Sequence, residues 1–267
     1  MESLMKVHTV HCFGARPGAG NVALVVENGP VSVEDRQAYA LERGASACVF
    51  ITPLPDGHTW NADYYYPHAR SPLCLHASLA AAHVLFRADA LLPVSLSTAM
   101  RSQLVPLTRH PDGMFATVRT QAVAPIGIAA GLAQQLLGEP GLTLASPPLL
   151  SSVGSPKLLI EVAGNAVLHA LTPPLERIVE WGKENGVNGC YVYCRLGADR
   201  YEGRNFNHLA PALEDSASGV AAGALSAWLG RGLTLLQGER LGNPCRITTR
   251  VVEHTIEVGG ATELVSH

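Results

Sequence analysis

Apolar and polar positions alternate over 7–13, which predicts a β-strand, and the short apolar run at 47–52 predicts a buried strand. Turns rich in Gly and Pro separate the segments, and Pro111-Asp112-Gly113 predicts the turn of a hairpin. After the second strand, Ser32 is a favourable N-cap for a helix that runs to Arg43 and stops at Gly44. The strands predicted in the first half are 7–13, 21–27, 47–52, 60–66, 103–108 and 114–120.

The second half of the chain repeats this order of elements, which predicts a similar topology. A helix pattern covers 126–137 and ends at Gly138. A second helix is predicted from Thr172, an N-cap with Pro173 at the first helical position, to Gly186. The predicted strands include 157–162, 246–252 and 254–258. Strands and helices in this order predict a fold that contains both types of element.

Blocks of similar sequence recur at a nearly constant distance along the chain. The polar start and small-residue helix of Cys74–Leu85 match Glu214–Leu225 at an offset of 140 residues. Two further matches, at offsets of 142 and 141, relate Glu42–Cys48 to Glu184–Cys190 and Tyr65 to Phe206. So long a period predicts duplication of a whole domain and not a short solenoid repeat. We therefore predict halves at 1–120 and 121–267, with a last strand that can cross to the N-terminal half.

Composition narrows the classes of function. A chain of 267 residues with 47% hydrophobic residues is long enough for one large domain or two of ordinary size. The net charge is −3 and no basic helix face occurs, so nucleic acid is not an expected partner. No run of about 18 apolar residues occurs, so we expect no membrane span. The N-terminus has no signal-peptide pattern, and we expect a cytoplasmic protein.

The six cysteines are scattered along the chain and are expected to be reduced, mostly buried thiols. Cys190 and Cys194 lack the spacing of a redox pair, and no His/Cys cluster has the spacing of zinc ligands. We therefore expect no metal.

The starts of the two small-residue helices form the candidate site. A helix N-terminus presents unpaired N–H groups and a partial positive charge, which suit a small carboxylate. Ser78 is predicted to cap a helix over 79–87, and Gly219 would allow close approach of a ligand to the backbone. His76 and Asp215 could form a general acid/base pair across a cleft between the halves. The alternative is a packed core histidine and a carboxylate that only caps its helix.

Five motifs, in the same order, resemble the PhzF-like family of phenazine biosynthesis, which shares the diaminopimelate epimerase fold. They are Phe13 with Gly20-Asn21-Val-Ala-Leu, Tyr65-Tyr66-Pro67, Cys74-Leu-His-Ala-Ser-Leu79, Glu214-Asp-Ser-Ala-Ser-Gly-Val-Ala221, and Gln237-Gly238 with Leu241-Gly242. The resemblance implies an α+β fold with two pseudo-symmetric halves, each a curled, mostly antiparallel, barrel-like sheet around a central helix. It also implies an active cleft between the halves and, as a further expectation, a homodimer.

The same resemblance implies an isomerase that needs no cofactor. Such an enzyme would catalyse a proton shift, epimerisation, elimination or cyclisation on a small carboxylate-bearing intermediate of secondary-metabolite biosynthesis. His76 and Asp215 match catalytic positions of the family. The substrate-binding residues implied by the resemblance are Asn21, Ser46, Ala47, Cys74, Leu75, Ala77, Ser78, Ser218 and Gly219.

Departures from the family pattern leave the reaction open. Ala47 occupies the position of the glutamate that carries the proton in the family, and Leu75 replaces a glycine. One hypothesis is an enzyme in which His76 and Asp215 move the proton, or in which Cys48 or Cys74 takes part. A second is a catalytically degenerate protein that binds a small ligand or a partner, and a third is a structural role. Two neighbours on one strand, Arg204 and Asn205, could reach a substrate carboxylate or form a solvated strand edge.

Overall fold

The computed structural model describes residues 4–88, 93–207 and 214–265. The chain forms two compact units. The first unit comprises Met1–Val118 together with Val258–His267, and the second unit comprises Arg119–Glu257. The predicted division into domains at 120/121 stays a prediction, as does the cleft expected between the halves.

Short strands carry most of the secondary structure, as the alternation of apolar and polar residues predicts. Along the first part of the chain they are β1 (Lys6–Cys12), β2 (Asn21–Glu27), β3 (Ala47–Pro53), β4 (Thr59–Tyr66), β5 (Ala69–Ser71), β6 (Val94–Thr98), β7 (Leu104–His110) and β8 (Gly113–Arg119). They continue as β9 (Leu149–Ser151), β10 (Lys157–Glu161), β11 (Cys190–Arg195), β12 (Arg200–Phe206), β13 (Glu214–Asp215), β14 (Thr234–Gln237), β15 (Cys245–Val252), β16 (Thr255–Gly260) and β17 (Thr262–Leu264).

The helices are α1 (Val33–Arg43), α2 (Leu75–Ala88), α3 (Leu132–Leu137), α4 (Asn165–Ala170), α5 (Leu175–Asn185) and α6 (Gly219–Leu229). The bounds of α1 confirm its prediction from local sequence. Ser32 Oγ accepts the N–H of Asp35 at 3.0 Å, and Gly44 ends the helix with φ 60°. Acidic residues in the first turn and Arg43 in the last also suit the helix dipole.

The first unit is a curled sheet built around α2. Its strands follow the order β17, β1, β2, β3, β4, β6, β7 and β8. The short β5 pairs antiparallel with the C-terminal end of β4. The pairs β2–β3 and β4–β6 are parallel, whereas the other registered pairs are antiparallel. Strands from across this sheet contact α2, and α1 packs outside on β3 and β4.

The second unit repeats this topology around α6. Here β10–β11 and β12–β14 are the parallel pairs. The short β13 pairs antiparallel with the end of β12, as β5 does with β4. The register agrees with the internal sequence match: Cys48 lies opposite Tyr65 in the first unit, and Cys190 lies opposite Phe206 in the second. The mixed α+β architecture, with a pseudo-symmetric repeat of curled sheet and central helix, is therefore the one expected from the sequence.

The two central helices are made of small residues because each is enclosed by a sheet. In α6 the side chains from Ala221 to Ser226 are buried, and Ser151 Oγ of β9 donates to the Ala224 carbonyl oxygen at 2.8 Å. In α2 the run Leu79–Ala82 has no exposed surface. Alanine and glycine allow the strands to approach such a helix closely without side-chain overlap.

The start of α2 differs from the prediction. The helix begins at Leu75, so Ser78 lies within its first turn and is not its N-cap. The N–H of Ser78 donates to the Cys74 carbonyl oxygen at 2.9 Å, which is the first helical hydrogen bond. Ser78 Oγ donates to the same oxygen at 2.9 Å, and the hydroxyl is satisfied there. The predicted loop position of His76 was therefore wrong, because this residue belongs to the helix.

Helix boundaries in the second unit were also partly mispredicted. The segment predicted as a helix over 126–137 is helical only in α3, which follows Gly131 in the left-handed region at φ 82°. Helix α5 begins at Leu175 after Pro174, so Thr172 does not cap it. The short α4 was not predicted. Short helices depend on packing against the sheet for most of their stability, and local pattern alone specifies them weakly.

Candidate active site

Cys74 and His76 form a thiol–imidazole pair at the start of α2. Cys74 precedes the first helical residue, and its Sγ lies 3.4 Å from His76 Nδ1. Both side chains are buried, with 2% and 8% of their surface exposed. The first turn of the helix thus presents a sulfur nucleophile and an imidazole that can exchange a proton.

The environment of Cys74 favours the thiolate. Burial raises the pKa of its thiol, but the charge and hydrogen bond of His76, the Ala77 N–H and a Tyr66 hydrogen bond together bring the pKa below its ordinary value. A position at the positive end of a helix acts in the same direction. By contrast, burial raises the pKa of Cys48 to about 11 and that of Cys12 well above its usual range. Of these three thiols, only Cys74 has a lowered pKa, which suits it to proton transfer.

Neighbouring contacts hold the first turn of α2 in place. Cys12 Sγ, at the end of β1, donates to the His76 carbonyl oxygen at 3.1 Å. The Tyr64 and Ser78 hydroxyls form a hydrogen bond of 2.8 Å between β4 and the helix. These groups are fully or almost fully buried, so the position of the pair is fixed by packing as well as by hydrogen bonds.

Several other residues named from the sequence lie on strands of the first unit. Asn21 is the first residue of β2 and is buried, and Gly20 precedes it at φ 110°, where a Cβ would lie 2.4 Å from the Cys12 carbonyl oxygen. Ala47 begins β3 and has no exposed surface, whereas Ser46 is exposed. Leu75 and Ala77, beside His76 in α2, are buried.

In the second unit, Asp215 and Ser218 form a hydrogen-bonded cluster with Gln237 before α6. Ser218 Oγ donates to Asp215 Oδ2 at 2.5 Å, and the Ala217 N–H reaches Oδ1 at 3.3 Å. Gln237 Nε2 donates to the Asp215 carbonyl oxygen at 2.6 Å and to Ser218 Oγ at 3.2 Å. Gly219 is the first residue of α6 and is buried. The Ser218 side chain makes no capping bond to α6, so this cluster orients the carboxylate instead.

Arg204 has a structural role that its sequence position does not reveal. Its guanidinium donates to both carboxylate oxygens of Glu214 at 2.8 Å, and also to the carbonyl oxygens of Leu168 and Leu171. The side chain is 5% exposed, so the solvated strand edge considered for it was wrong. Four of its five N–H groups donate to these acceptors, so Arg204 fixes β13 and α4.

Three polar residues near these sites were not among the predicted site residues, although two of them, Tyr66 and Gln237, occur in the family-like motifs. Tyr66 contributes a hydrogen bond to Cys74, and Gln237 joins the Asp215 cluster. Lys157 begins the buried strand β10 with only 2% of its surface exposed. A lysine at the start of a strand followed by three apolar residues was the available signal for Lys157, but an exposed strand end gives the same pattern.

Residues 4–88, 93–207 and 214–265 contain neither a metal-binding cluster nor a membrane-spanning helix. Within these ranges, no three His, Cys, Asp or Glu side chains are grouped so as to hold a metal ion. No helix of the described chain has the length and apolar character needed to cross a membrane.

A curled sheet around a small-residue helix, present twice and with ionisable groups at both helix starts, is the architecture of the diaminopimelate epimerase-like fold. A protein described as a predicted epimerase from Pseudomonas aeruginosa has this fold, with a TM-score of 0.80, 24% identity and 98% of both chains covered. A phenazine biosynthesis protein of the PhzF family from Bacillus anthracis gives a TM-score of 0.81 at 19% identity, over 100% of this chain and 98% of that one.

The sequence profile of the phenazine biosynthesis-like protein family, PhzC-PhzF, matches residues 10–267, and the chain belongs to this family. A relative from Deinococcus radiodurans, known as an uncharacterized isomerase, is 31% identical over 94% of this chain and 90% of its own length. Family membership and these relatives support an isomerase- or epimerase-like role.

Proposed function

We propose that this protein is an isomerase that works without a cofactor and moves a proton on a small, carboxylate-bearing biosynthetic intermediate. The observation that carries the proposal is the buried contact of 3.4 Å between Cys74 Sγ and His76 Nδ1 at the start of α2. The isomerase names of relatives, and the epimerase description of a protein with the same fold, support this class of reaction.

Cys74 is the proposed proton carrier in place of the family's glutamate. Its thiolate takes a proton from a carbon beside the substrate's carboxylate or double bond, and the electron pair left on carbon is delocalised into that group. The neutral thiol then returns the proton to a second carbon, so the substrate is isomerised and the enzyme is restored. His76 maintains the thiolate by its positive charge and hydrogen bond. The buried methyl group of Ala47 leaves no carboxylate at the start of β3 for this task.

Asp215 is the proposed ionisable group of the second unit. Donors from Ser218 and Ala217 hold both carboxylate oxygens, which supports a fixed, negatively charged group beside the N-terminus of α6. In this role the carboxylate accepts a hydrogen bond from an acidic hydrogen of the substrate and orients it, without a change in its own protonation. Ser218 and Gly219 are the other proposed binding residues of the second unit. Those proposed for the first unit are Asn21, Ser46, Leu75, Ala77 and Ser78.

A ligand-binding protein without turnover is the second candidate, and Ala47 is the observation that favours it. Proton exchange in deuterated water tests the first proposal without knowledge of the substrate. A panel of amino acids, hydroxy acids and unsaturated carboxylates is incubated with the protein, and carbon-bound deuterium is measured by mass spectrometry. Deuterium in at least one compound is the expected result for the wild type.

Variants then assign the exchange to the proposed residues. Cys74→Ser, His76→Asn and Asp215→Asn should each reduce it by roughly 10²–10⁴-fold, since each removes a general acid/base or its partner. Cys194→Ala is the control, because this buried thiol has its pKa raised to about 11 by burial. Exchange that survives in folded Cys74→Ser contradicts the proposed carrier. No exchange by the wild type, but gain of exchange in Ala47→Glu, supports the degenerate alternative.

A further inference from the structure

Lys157 is a buried ammonium whose hydrogen bonds are incomplete. Its Nζ donates to the Asn188 carbonyl oxygen, and this is its one hydrogen bond among the described residues. An ammonium group carries three donors, and its side chain here is 2% exposed. Burial of a cation with unsatisfied donors is costly unless another group binds it. The position therefore has capacity for an anionic acceptor.

The register of the sheet places Lys157 on the face toward α6. Leu158 and its Cα partner Cys190 belong to the apolar cluster that packs on the opposite face, against α3 and α5. Successive strand residues point to opposite faces, so Lys157 lies on the inner face, and α6 contacts β10 there. On the next strands, Tyr191 and its partner Asn205 share that inner face.

Two buried amide oxygens of the second unit lack donors in the described part of the chain. Asn188 Oδ1 and Asn205 Oδ1 have no hydrogen-bond partner among the described residues, and Asn205 is 1% exposed. Asn205 lies directly opposite Asp215 in the β12–β13 pair. The carboxylate of Asp215 also acts electrostatically on Lys157. Unused donors and acceptors therefore occur together in the second unit beside the Asp215 cluster.

The internal repeat relates this position to the one that lacks the family's glutamate. In the first unit, Ala23 lies beside Ala47 in the β2–β3 pair. The same register in the second unit places Lys157 beside Gly189, since the Leu158 N–H bonds to the Gly189 carbonyl oxygen. Gly189 has a positive φ of 73°, and a Cβ there would meet the Phe206 carbonyl oxygen, so Lys157 has no side chain beside it on this strand. The second unit thus carries an ionisable group at the level where the first has two methyl groups.

We propose that Lys157 binds the carboxylate of the small substrate, and that Asn205 Oδ1 accepts a hydrogen bond from an adjacent amino or hydroxyl group of that ligand. The ligand class is therefore a 2-amino or 2-hydroxy acid. This inference rests on the proposed function, because it assigns residues to the carboxylate and its neighbouring donor. Lys157 is ionised near neutrality, since burial lowers its pKa only to about 8 and Asp215 partly offsets that effect.

Binding of three small probes tests the assignment without turnover. Glycine carries both groups, glycinamide lacks the carboxylate, and acetate lacks the amine. Dissociation constants are measured by NMR titration at neutral pH for the wild type, Lys157→Met and Asn205→Ala. Lys183→Met, at an exposed lysine of the same unit, is the matched control.

The wild type should prefer glycine to both analogues. Lys157→Met should weaken glycine binding roughly tenfold to a hundredfold, the expected range for loss of a charged hydrogen bond, and should remove the preference over glycinamide. Asn205→Ala should remove the preference over acetate, and Lys183→Met should bind as the wild type does. Equal affinity for glycine and glycinamide in the wild type, or unchanged glycine binding in Lys157→Met, overturns the assignment.

The two proposals can fail separately. If Lys157→Met loses carboxylate binding but the wild type exchanges no carbon-bound hydrogen, the binding site stands and the isomerase proposal fails. If exchange occurs and Lys157→Met retains both exchange and glycine binding, the isomerase proposal stands and the role of Lys157 fails.

Discussion

Replacement of Lys157 by methionine should change how the stability of the protein depends on pH. Burial lowers the lysine pKa from 10.5 to about 8. Below pH 8 both the folded and unfolded states hold the proton, so the folded state bears the full cost of a buried ammonium. Between pH 8 and 10.5 the folded lysine is neutral while the unfolded one is still charged. The unfolded state then binds more protons, and the stability of the wild type rises with pH.

The pKa values set the size of this effect. A fall from 10.5 to about 8 corresponds to about 3 kcal/mol, at roughly 1.4 kcal/mol for each tenfold change in proton affinity. Lys157→Met lacks this contribution. Loss of the hydrogen bond to the Asn188 carbonyl is independent of pH, so it displaces the whole stability curve without changing its slope. Cysteines and tyrosines that titrate at high pH are present in both proteins, and their effects largely cancel in the difference.

The assay is urea unfolding followed by tryptophan fluorescence, at several pH values from near neutrality to 10.5. The free energy of unfolding of the wild type minus that of Lys157→Met should rise by about 3 kcal/mol across this range. Lys183→Met, at an exposed position, should give a nearly constant difference from the wild type. A difference for Lys157→Met that changes by less than about 1 kcal/mol would refute the account of a buried, destabilised ammonium.

Three further changes test the candidate site and its scaffold. In a pH titration of thiolate absorbance, Cys74→Ser should remove a transition that lies below the ordinary cysteine pKa of 9.0. His76→Asn should move this transition to higher pH. Titration curves identical to that of the wild type would contradict the paired thiolate. Arg204→Lys should lower the free energy of unfolding by roughly 3 kcal/mol, because one ammonium cannot bond to the four buried acceptors of the guanidinium. An unchanged urea midpoint would contradict this structural role of Arg204. Gly189→Ala should lower the urea midpoint far more than Gly186→Ala. Both glycines have a positive φ, but a Cβ at residue 189 would lie 1.9 Å from a carbonyl oxygen, whereas a Cβ at residue 186 meets no atom within 4 Å. Equal decreases of the midpoint would contradict the steric cause.

Much of the architecture could be predicted because it depends on local sequence patterns. The cap at Ser32, the stop at Gly44 and the apolar run of β2 are properties of neighbouring residues, and the structure reproduces them. The internal sequence match predicted that Cys48 and Cys190 are equivalent. The register confirms this equivalence, since their strand partners are the matched residues Tyr65 and Phe206.

The candidate site was only partly accessible from sequence. The resemblance to the family selected Cys74, His76 and Asp215, but it did not assign the direction of the Cys74 pKa. That direction depends on burial and on the distance to the imidazole, both of which follow from where α2 begins. The residue types before residue 79 were compatible with a helix that begins there, and Ser78 was therefore predicted to be its N-cap. The helix begins at Leu75 instead.

Sequence alone determined the segments, the duplication and the family, because periodic patterns and motifs involve residues close together or repeated in order. Tertiary structure decided which polar groups are satisfied. Arg204 donates to Glu214 and to the carbonyl oxygens of α4 and its C-cap. Among the described residues, Lys157 has one acceptor, and two amide oxygens of the same unit have no donor. Both are basic residues on strands in the sequence. Their different roles arise from contacts between residues more than 30 positions apart along the chain, which only the pairing of strands and the packing of helices bring together.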